Sequence, residues 1–187
     1  KNDSVTRRNF LSATAIAGAS LASSPCLSAK PNQIAGKTAE NYVKLLHASL
    51  SDAQKKVLCF SWDHRDKKNG LVRSHVSNNW RITSHPLTGN FYTKEQQHLI
   101  RKVWEGLVNP DWVERFDKQF KDDMGGFGKK QGIAIFGDPG KEGESYEFVL
   151  TGRHGTVRCD GDSTDHVAFG GPIVYGHAAS GYYEKPA

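Results

Sequence analysis

Cysteine is scarce in this chain of 187 residues, which has only Cys26, Cys59 and Cys159. No two of them have the Cys-x-x-Cys spacing, so the sequence argues against a zinc site made of thiolates. Cys59 and Cys159 leave two alternatives open. They form a disulfide in an oxidising compartment, or they stay as two buried thiols.

Runs of a single charge sign are also missing. The chain has 25 lysines and arginines against 20 aspartates and glutamates, and its net charge is +5. The two signs alternate along the sequence, and there is neither an arginine-rich helix nor an aromatic RNA-binding motif. Nucleic acid is therefore excluded as the expected partner.

The sequence lacks several common catalytic and binding motifs. It contains no Gly-x-Ser-x-Gly and no His-Glu-x-x-His. The stretch "GDPGKEGES" does not have the spacing of a phosphate loop, and "GGFGKKQG" connects a helix to a strand, the reverse of the dinucleotide order. The stretch "DGDSTD" is too short for a calcium-binding loop of the EF-hand type. These patterns therefore predict no activity of those classes.

The N-terminus has the composition of an export leader. "TRRNFLS" resembles the twin-arginine signal pattern at every position except Ser12, and no charged residue occurs from Asn9 to Ala29. The apolar part is rich in Ala, Ser, Thr and Gly, so it is too weakly hydrophobic for a stable membrane span. We expect residues 1–29 to be removed before Lys30, which lowers the net charge to +3. The expected partner is the twin-arginine translocation machinery, and the expected location is the periplasm or another exported compartment.

Helical signals follow a linker at residues 30–36. Thr38 is a predicted N-cap, and capping boxes are predicted for the pairs Ser51 with Gln54 and Thr93 with Gln96. Asn109 followed by Pro110 predicts the start of another helix. The glycines at 125 and 126 predict its end. The predicted core residues of these helices are Trp104, Leu107, Trp112, Phe116 and Phe120.

After Gln131, the spacing of apolar residues changes from a helical pattern to the pattern of extended strands. The runs "GIAIFG", "YEFVLTG", "TVRC" and "HVAFGGPIVYG" alternate with turn-forming stretches. The expected fold class is therefore α+β, with N-terminal helices packed against a C-terminal antiparallel sheet in a single domain over residues 37–187. Residues 61–92 are predicted to be a long loop with one short strand from Trp80 to Thr83.

Four segments resemble a bacterial family known as domain of unknown function 3500: "LHASLSDAQKKVLCFSWDH", "IAIFGDPG", "YEFVLTGRH" and "AFGGPIVYGHAA". The resemblance runs from about Ala39 to Ala179. Members commonly have two adjacent histidines where this chain has Arg153 and His154, and they usually continue beyond the equivalent of Lys185. The resemblance implies a short or truncated member of a subgroup with a twin-arginine leader. It implies no mechanism.

The stretch "TGRHGTVRCDGDSTDH" contains the candidate site. Strand alternation places His154 at the end of an apolar face, and we predict that His154, Asp160 and His177 bind one transition metal ion, zinc, iron or copper. His166 is a spare ligand, and Asp162 or Asp165 would orient an imidazole.

His154, Arg158 and Asp160 are the candidate catalytic residues, with Arg158 lining the approach. The same groups also suit a metal-free acid/base site. A third interpretation is a charged hairpin closed by the Asp-Gly turn in "CDGD".

Two functions follow from these candidates. The first is an exported, metal-assisted enzyme that acts on a small molecule or polymer. The alternative is a non-enzymatic periplasmic binding or accessory protein in which Arg153, Arg158 and the histidines recognise an anionic ligand or partner. The sequence leaves the oligomeric state open, including a homo-oligomer.

Overall fold

A computed structural model describes residues 38–77, 79–160 and 174–175 of the chain. The expected leader and linker lie outside these residues. So do four of the candidate site residues, Asp162, Asp165, His166 and His177.

Four α-helices form where the local signals predict them. They are α1 (Ala39–Ser49), α2 (Asp52–Leu58), α3 (Lys94–Leu107) and α4 (Val113–Met124). The N-cap at Thr38 and the capping boxes at Ser51 and Thr93 are confirmed. A 3-10 turn at Pro110–Trp112, capped by Asn109, precedes α4. Helix α4 ends at Gly125, whose φ of 81° is left-handed and therefore suits glycine.

The strands form one larger sheet and one small hairpin. The strands are β1 (Cys59–Phe60), β2 (Arg65–Asp66), β3 (Gly70–Leu71), β4 (Gly132–Gly137), β5 (Tyr146–Gly152), β6 (Gly155–Cys159) and β7 (Val174–Tyr175). The order in the larger sheet is β1-β4-β5-β6-β7, whereas β2 and β3 pair with each other. The fold class α+β is confirmed. However, β1 lies parallel to β4, so the sheet is mixed and not purely antiparallel.

The sheet is covered on both faces. On one face, apolar side chains of α1 and α3 pack against residues such as Ile133, Phe148 and Leu150. Val72 of the long loop packs with Phe136 and Val149 on the other face. Every residue of β5 is buried, which explains why this strand lacks the polar alternation of a solvent-facing sheet.

Two expectations about local structure are wrong. The predicted strand from Trp80 to Thr83 does not form, and only an isolated bridge joins the neighbouring Asn79 to Arg153. Trp112 is not a core residue, because its exposed fraction is 50%. It lies in the 3-10 turn before α4, where the phase of the helix does not yet direct its side chain inward. Trp104 and Phe120 are buried as predicted.

The sheet register separates the two cysteines of the domain. Cys59 lies opposite Ile135, Ile135 lies opposite Phe148, and Phe148 lies opposite Cys159. Three strand spacings correspond to about 14 Å, which is too far for a disulfide. Cys59 and Cys159 therefore do not pair with each other.

None of the helices in the described part of the chain is long and apolar enough to span a membrane.

Candidate functional site

His154 lies in a tight turn and not within a strand. Gly152 pairs with Gly155, so Arg153 and His154 form the connection between β5 and β6. His154 has a φ of 58°, and it is the only residue other than glycine with positive φ in the described segments. This conformation costs an L-residue about 1 kcal/mol or more, so the contacts around the turn must stabilise it.

Asp123 holds both residues of this turn. One carboxylate oxygen of Asp123 lies 2.8 Å from Nδ1 of His154, and Nε of Arg153 donates to the other oxygen at 2.8 Å. The His154 side chain is only 7% exposed. Burial alone would raise the pKa of Asp123, but the hydrogen bonds from Arg153 and His154 outweigh burial and hold this pKa below its ordinary value. Asp123 is therefore a carboxylate at neutral pH.

The contact with Asp123 determines which nitrogen of His154 can act. A carboxylate only accepts hydrogen bonds, so Nδ1 must carry a proton in this contact. In the neutral imidazole the lone pair is then on Nε2. A nitrogen in that state can bind a transition metal or accept a proton from the group that it contacts. The Asp123–His154 dyad, defined by these two side chains, is therefore chemically competent for both kinds of site.

The structure does not bring Asp160 to His154. Asp160 follows the far end of β6, and the strand Gly155–Cys159 lies between them. Six residues of extended chain span roughly 20 Å. Among the residues that the structure describes, no group of three or more His, Cys, Asp or Glu could hold a metal ion. His177 follows Tyr175 by two residues in the sequence and lies outside the described residues, so its part in the site stays a prediction.

Arg158 does not line an approach to His154. Its side chain is fully buried on the face of the sheet that the long loop covers. The guanidinium donates to the backbone carbonyls of Arg73 at 2.9 Å and His75 at 2.7 Å. Its Nε also lies 3.1 Å from a carboxylate oxygen of Glu147, which is equally buried. Arg158 thus fastens the loop to the sheet.

Arg73 completes this buried cluster from the side of the loop. Its Nη1 donates to the second carboxylate oxygen of Glu147 at 3.2 Å. The Arg73 guanidinium also stacks on the ring of Trp62, at 3.9 Å from the centroid. Two cations from different parts of the chain therefore share one buried carboxylate. We call Arg73, Glu147 and Arg158 the buried ion cluster.

Burial of Glu147 outweighs the attraction of the two arginines. Burial raises the pKa of Glu147 to about 7, and the nearby Asp160 raises it too, while the hydrogen bond from Arg73 and the charge of Arg158 lower it. Because the pKa in the folded state exceeds that in the unfolded state, the fold favours the protonated form. The contribution of protonated Glu147 to the free energy of unfolding is fully present below about pH 4.5, and it is lost as the pH rises through about 7.

Glu147→Gln is expected to remove this pH dependence, because glutamine does not ionise. Between pH 5 and pH 8, the parent should lose on the order of 2 kcal/mol of stability relative to the variant. Urea unfolding of both proteins at several pH values measures this difference. An identical pH profile for the two proteins would show that Glu147 does not titrate in this range.

Sequence reasoning found His154 but missed Asp123. The two residues are 31 positions apart, and Asp123 lies in an amphipathic helix where acidic residues are ordinary. No local pattern distinguishes it from Asp122, which pairs with Lys118 on the surface. Only the packing of α4 beside the β5–β6 turn selects it.

Comparison with protein-family models, with curated proteins and with solved structures found no match.

Proposed function

We propose that this chain is an exported, metal-assisted enzyme whose reactive group is Nε2 of His154. One observation carries the proposal, namely the buried imidazole whose Nδ1 is held by the Asp123 carboxylate at 2.8 Å. Histidines that bind metals usually donate their other ring N–H to a carboxylate or carbonyl, which fixes the ring and increases its basicity. The left-handed conformation of His154 supports the proposal, since strained residues are frequent at functional sites.

His177 is the proposed second ligand of this site. Strand β7 lies antiparallel to β6, and Tyr175 lies opposite Gly155, the residue that follows His154. The chain at Tyr175 is thus adjacent to the turn that holds the dyad. In this proposal Asp123 takes the orienting role that we expected from Asp162 or Asp165, and Asp160 is not a ligand.

Metal binding by His154 is tested with the purified full chain. We expect elemental analysis to find zinc, iron or copper in the parent, and His154→Ala to lose most of it. Asp123→Asn keeps the shape of the side chain but removes its charge, so it should weaken metal affinity about 10-fold to 100-fold. His98→Ala is the matched control, because His98 is exposed on α3.

Equal metal content in the parent, His154→Ala and His98→Ala would contradict metal ligation by His154. A metal-free parent would instead favour the acid/base role, which needs the same dyad but no ion. Activity toward a substrate would then be lost in both His154→Ala and Asp123→Asn without any change in metal content.

The export route and the family are also proposals. They are supported by the "TRRNFLS" motif and by the four segments that resemble domain of unknown function 3500. We infer export by the twin-arginine machinery to the periplasm, and N-terminal sequencing of the exported protein would locate the cleavage site.

A further inference from the structure

The end of the sheet that carries the dyad is rich in exposed cations. Lys129 and Lys130 are exposed in the connection from α4 to β4, and Arg81 is exposed in the long loop. Arg153 lies in the β5–β6 turn itself, with its side chain 38% exposed. We call Arg81, Lys129, Lys130 and Arg153 the basic rim.

The sheet register brings the backbone of Lys130 and the side chain of Arg81 to the end of β5 that leads into the His154 turn. The carbonyl of Lys130 lies 3.1 Å from the position that a Cβ would have on Gly152, two residues before His154. A Cβ on Gly132 would lie 2.7 Å from Cγ of Arg81, and Gly132 pairs with Thr151 of β5. The missing side chains of two glycines thus allow the segments with Arg81 and Lys130 to approach the end of β5.

Among the described residues, the two neighbouring carboxylates of α4 beside the dyad are already engaged. Asp123 binds Arg153 and His154, and the adjacent Asp122 pairs with Lys118 at 2.8 Å. Within the described ranges, Arg81, Lys129 and Lys130 make no ion pair with a carboxylate. The loop at the opposite end of β4 and β5 has the reverse balance, with Asp138, Glu142 and Glu144 against Lys141 alone. Counting only residues that the structure describes, the charge near the dyad is therefore positive, although both signs are mixed along the sequence.

We propose that the basic rim recruits a small anion, with a phosphate or carboxylate group, to the His154 site. This inference rests on the proposed function in that it names the class of substrate for the same dyad. Exposed lysines and arginines concentrate anions near a site and bind them weakly, in a manner that salt screens. Arg153 contributes in a second way, because its guanidinium is held beside His154 by Asp123 and can position an anion there.

The test uses inorganic phosphate and the metal-free full chain. We expect sodium phosphate, added at constant ionic strength against sodium chloride, to cause a saturable NMR shift of the His154 imidazole. Charge reversal in the double variant Lys129→Glu/Lys130→Glu should weaken the apparent affinity by about fivefold or more. The double variant Lys67→Glu/Lys68→Glu, in the exposed turn between β2 and β3, makes the same change in net charge and should leave the affinity unchanged. A parallel titration with sodium acetate determines whether the site prefers phosphate or carboxylate.

Two results would overturn the proposal: no saturable shift of His154 with either anion, or equal weakening in the two double variants. The second result would mean that only the net charge of the protein matters. Both results are independent of metal ligation, because the titration is done without metal. Conversely, if His154→Ala leaves the metal content unchanged while phosphate still binds at the basic rim, the metal-assisted function fails and the anion site remains.

Discussion

Replacing Arg158 with methionine is expected to lower the free energy of unfolding by about 3–5 kcal/mol at pH 8. The variant leaves the Glu147 carboxylate buried with one of its two arginines gone, and it also removes the donor to the carbonyls of Arg73 and His75. The measurement is urea unfolding at pH 8, where Glu147 of the parent is ionised. At pH 5 the loss should be smaller, because a protonated Glu147 needs no counter-charge.

The control for this prediction is a surface ion pair of the same chain. Lys118→Met breaks the exposed pair with Asp122 and should leave the free energy of unfolding nearly unchanged. The double variant Glu147→Leu/Arg158→Met removes the two fully buried charges of the cluster and leaves the partly exposed Arg73, so it should recover part of the lost stability. If Arg158→Met were as stable as the parent at pH 8, the buried ion cluster would not hold the loop on the sheet.

Trp104→Ala is expected to cost about 3–5 kcal/mol, because it opens a large cavity between α3 and α4. The indole is 2% exposed and lies 5.4 to 5.6 Å from the rings of Phe116, Phe120 and Phe127, measured between centroids. The guanidinium of Arg101 covers another part of the ring, at 4.6 Å from its centroid. Thermal and urea unfolding measure the loss.

Trp112→Ala is the matched control, since it deletes the same side chain from a position that is 50% exposed. Its main described ring contact is with Arg115 on the surface, so the cost should stay near or below about 1 kcal/mol. Similar losses in the two variants would contradict the orientation of the helices.

Features that depend on neighbouring residues could be predicted from the sequence. The capping box of Ser51 and Gln54 joins residues three positions apart. The buried stripe of α3 that includes Ile100, Val103 and Trp104 lies within two helical turns. The alternation along β5 correctly separates Phe148 and Leu150 from Val149. In each of these cases one short segment contains all the information.

Features that depend on distant segments could not be predicted. Strand β1 has two residues and exists only because it pairs with β4, more than seventy positions later. In the polar stretch "TVRCDGD", Arg158 looks like a surface residue. However, the long loop covers its side chain, and two backbone carbonyls of that loop accept hydrogen bonds from its guanidinium. Likewise, the role of His154 depends on a carboxylate from α4. The sequence alone does not show whether a charged residue in a strand is exposed or buried, because this depends on which distant segment packs over it.

The separation of Cys59 and Cys159 has a consequence for where this domain can work. With about 14 Å between them, their oxidation state cannot couple to the fold through a mutual bond. Cys159 is 2% exposed, and burial raises the pKa of Cys59 to about 11, so little reactive thiolate forms near neutral pH. Moving the domain from reducing to oxidising surroundings therefore forms no crosslink between these two cysteines.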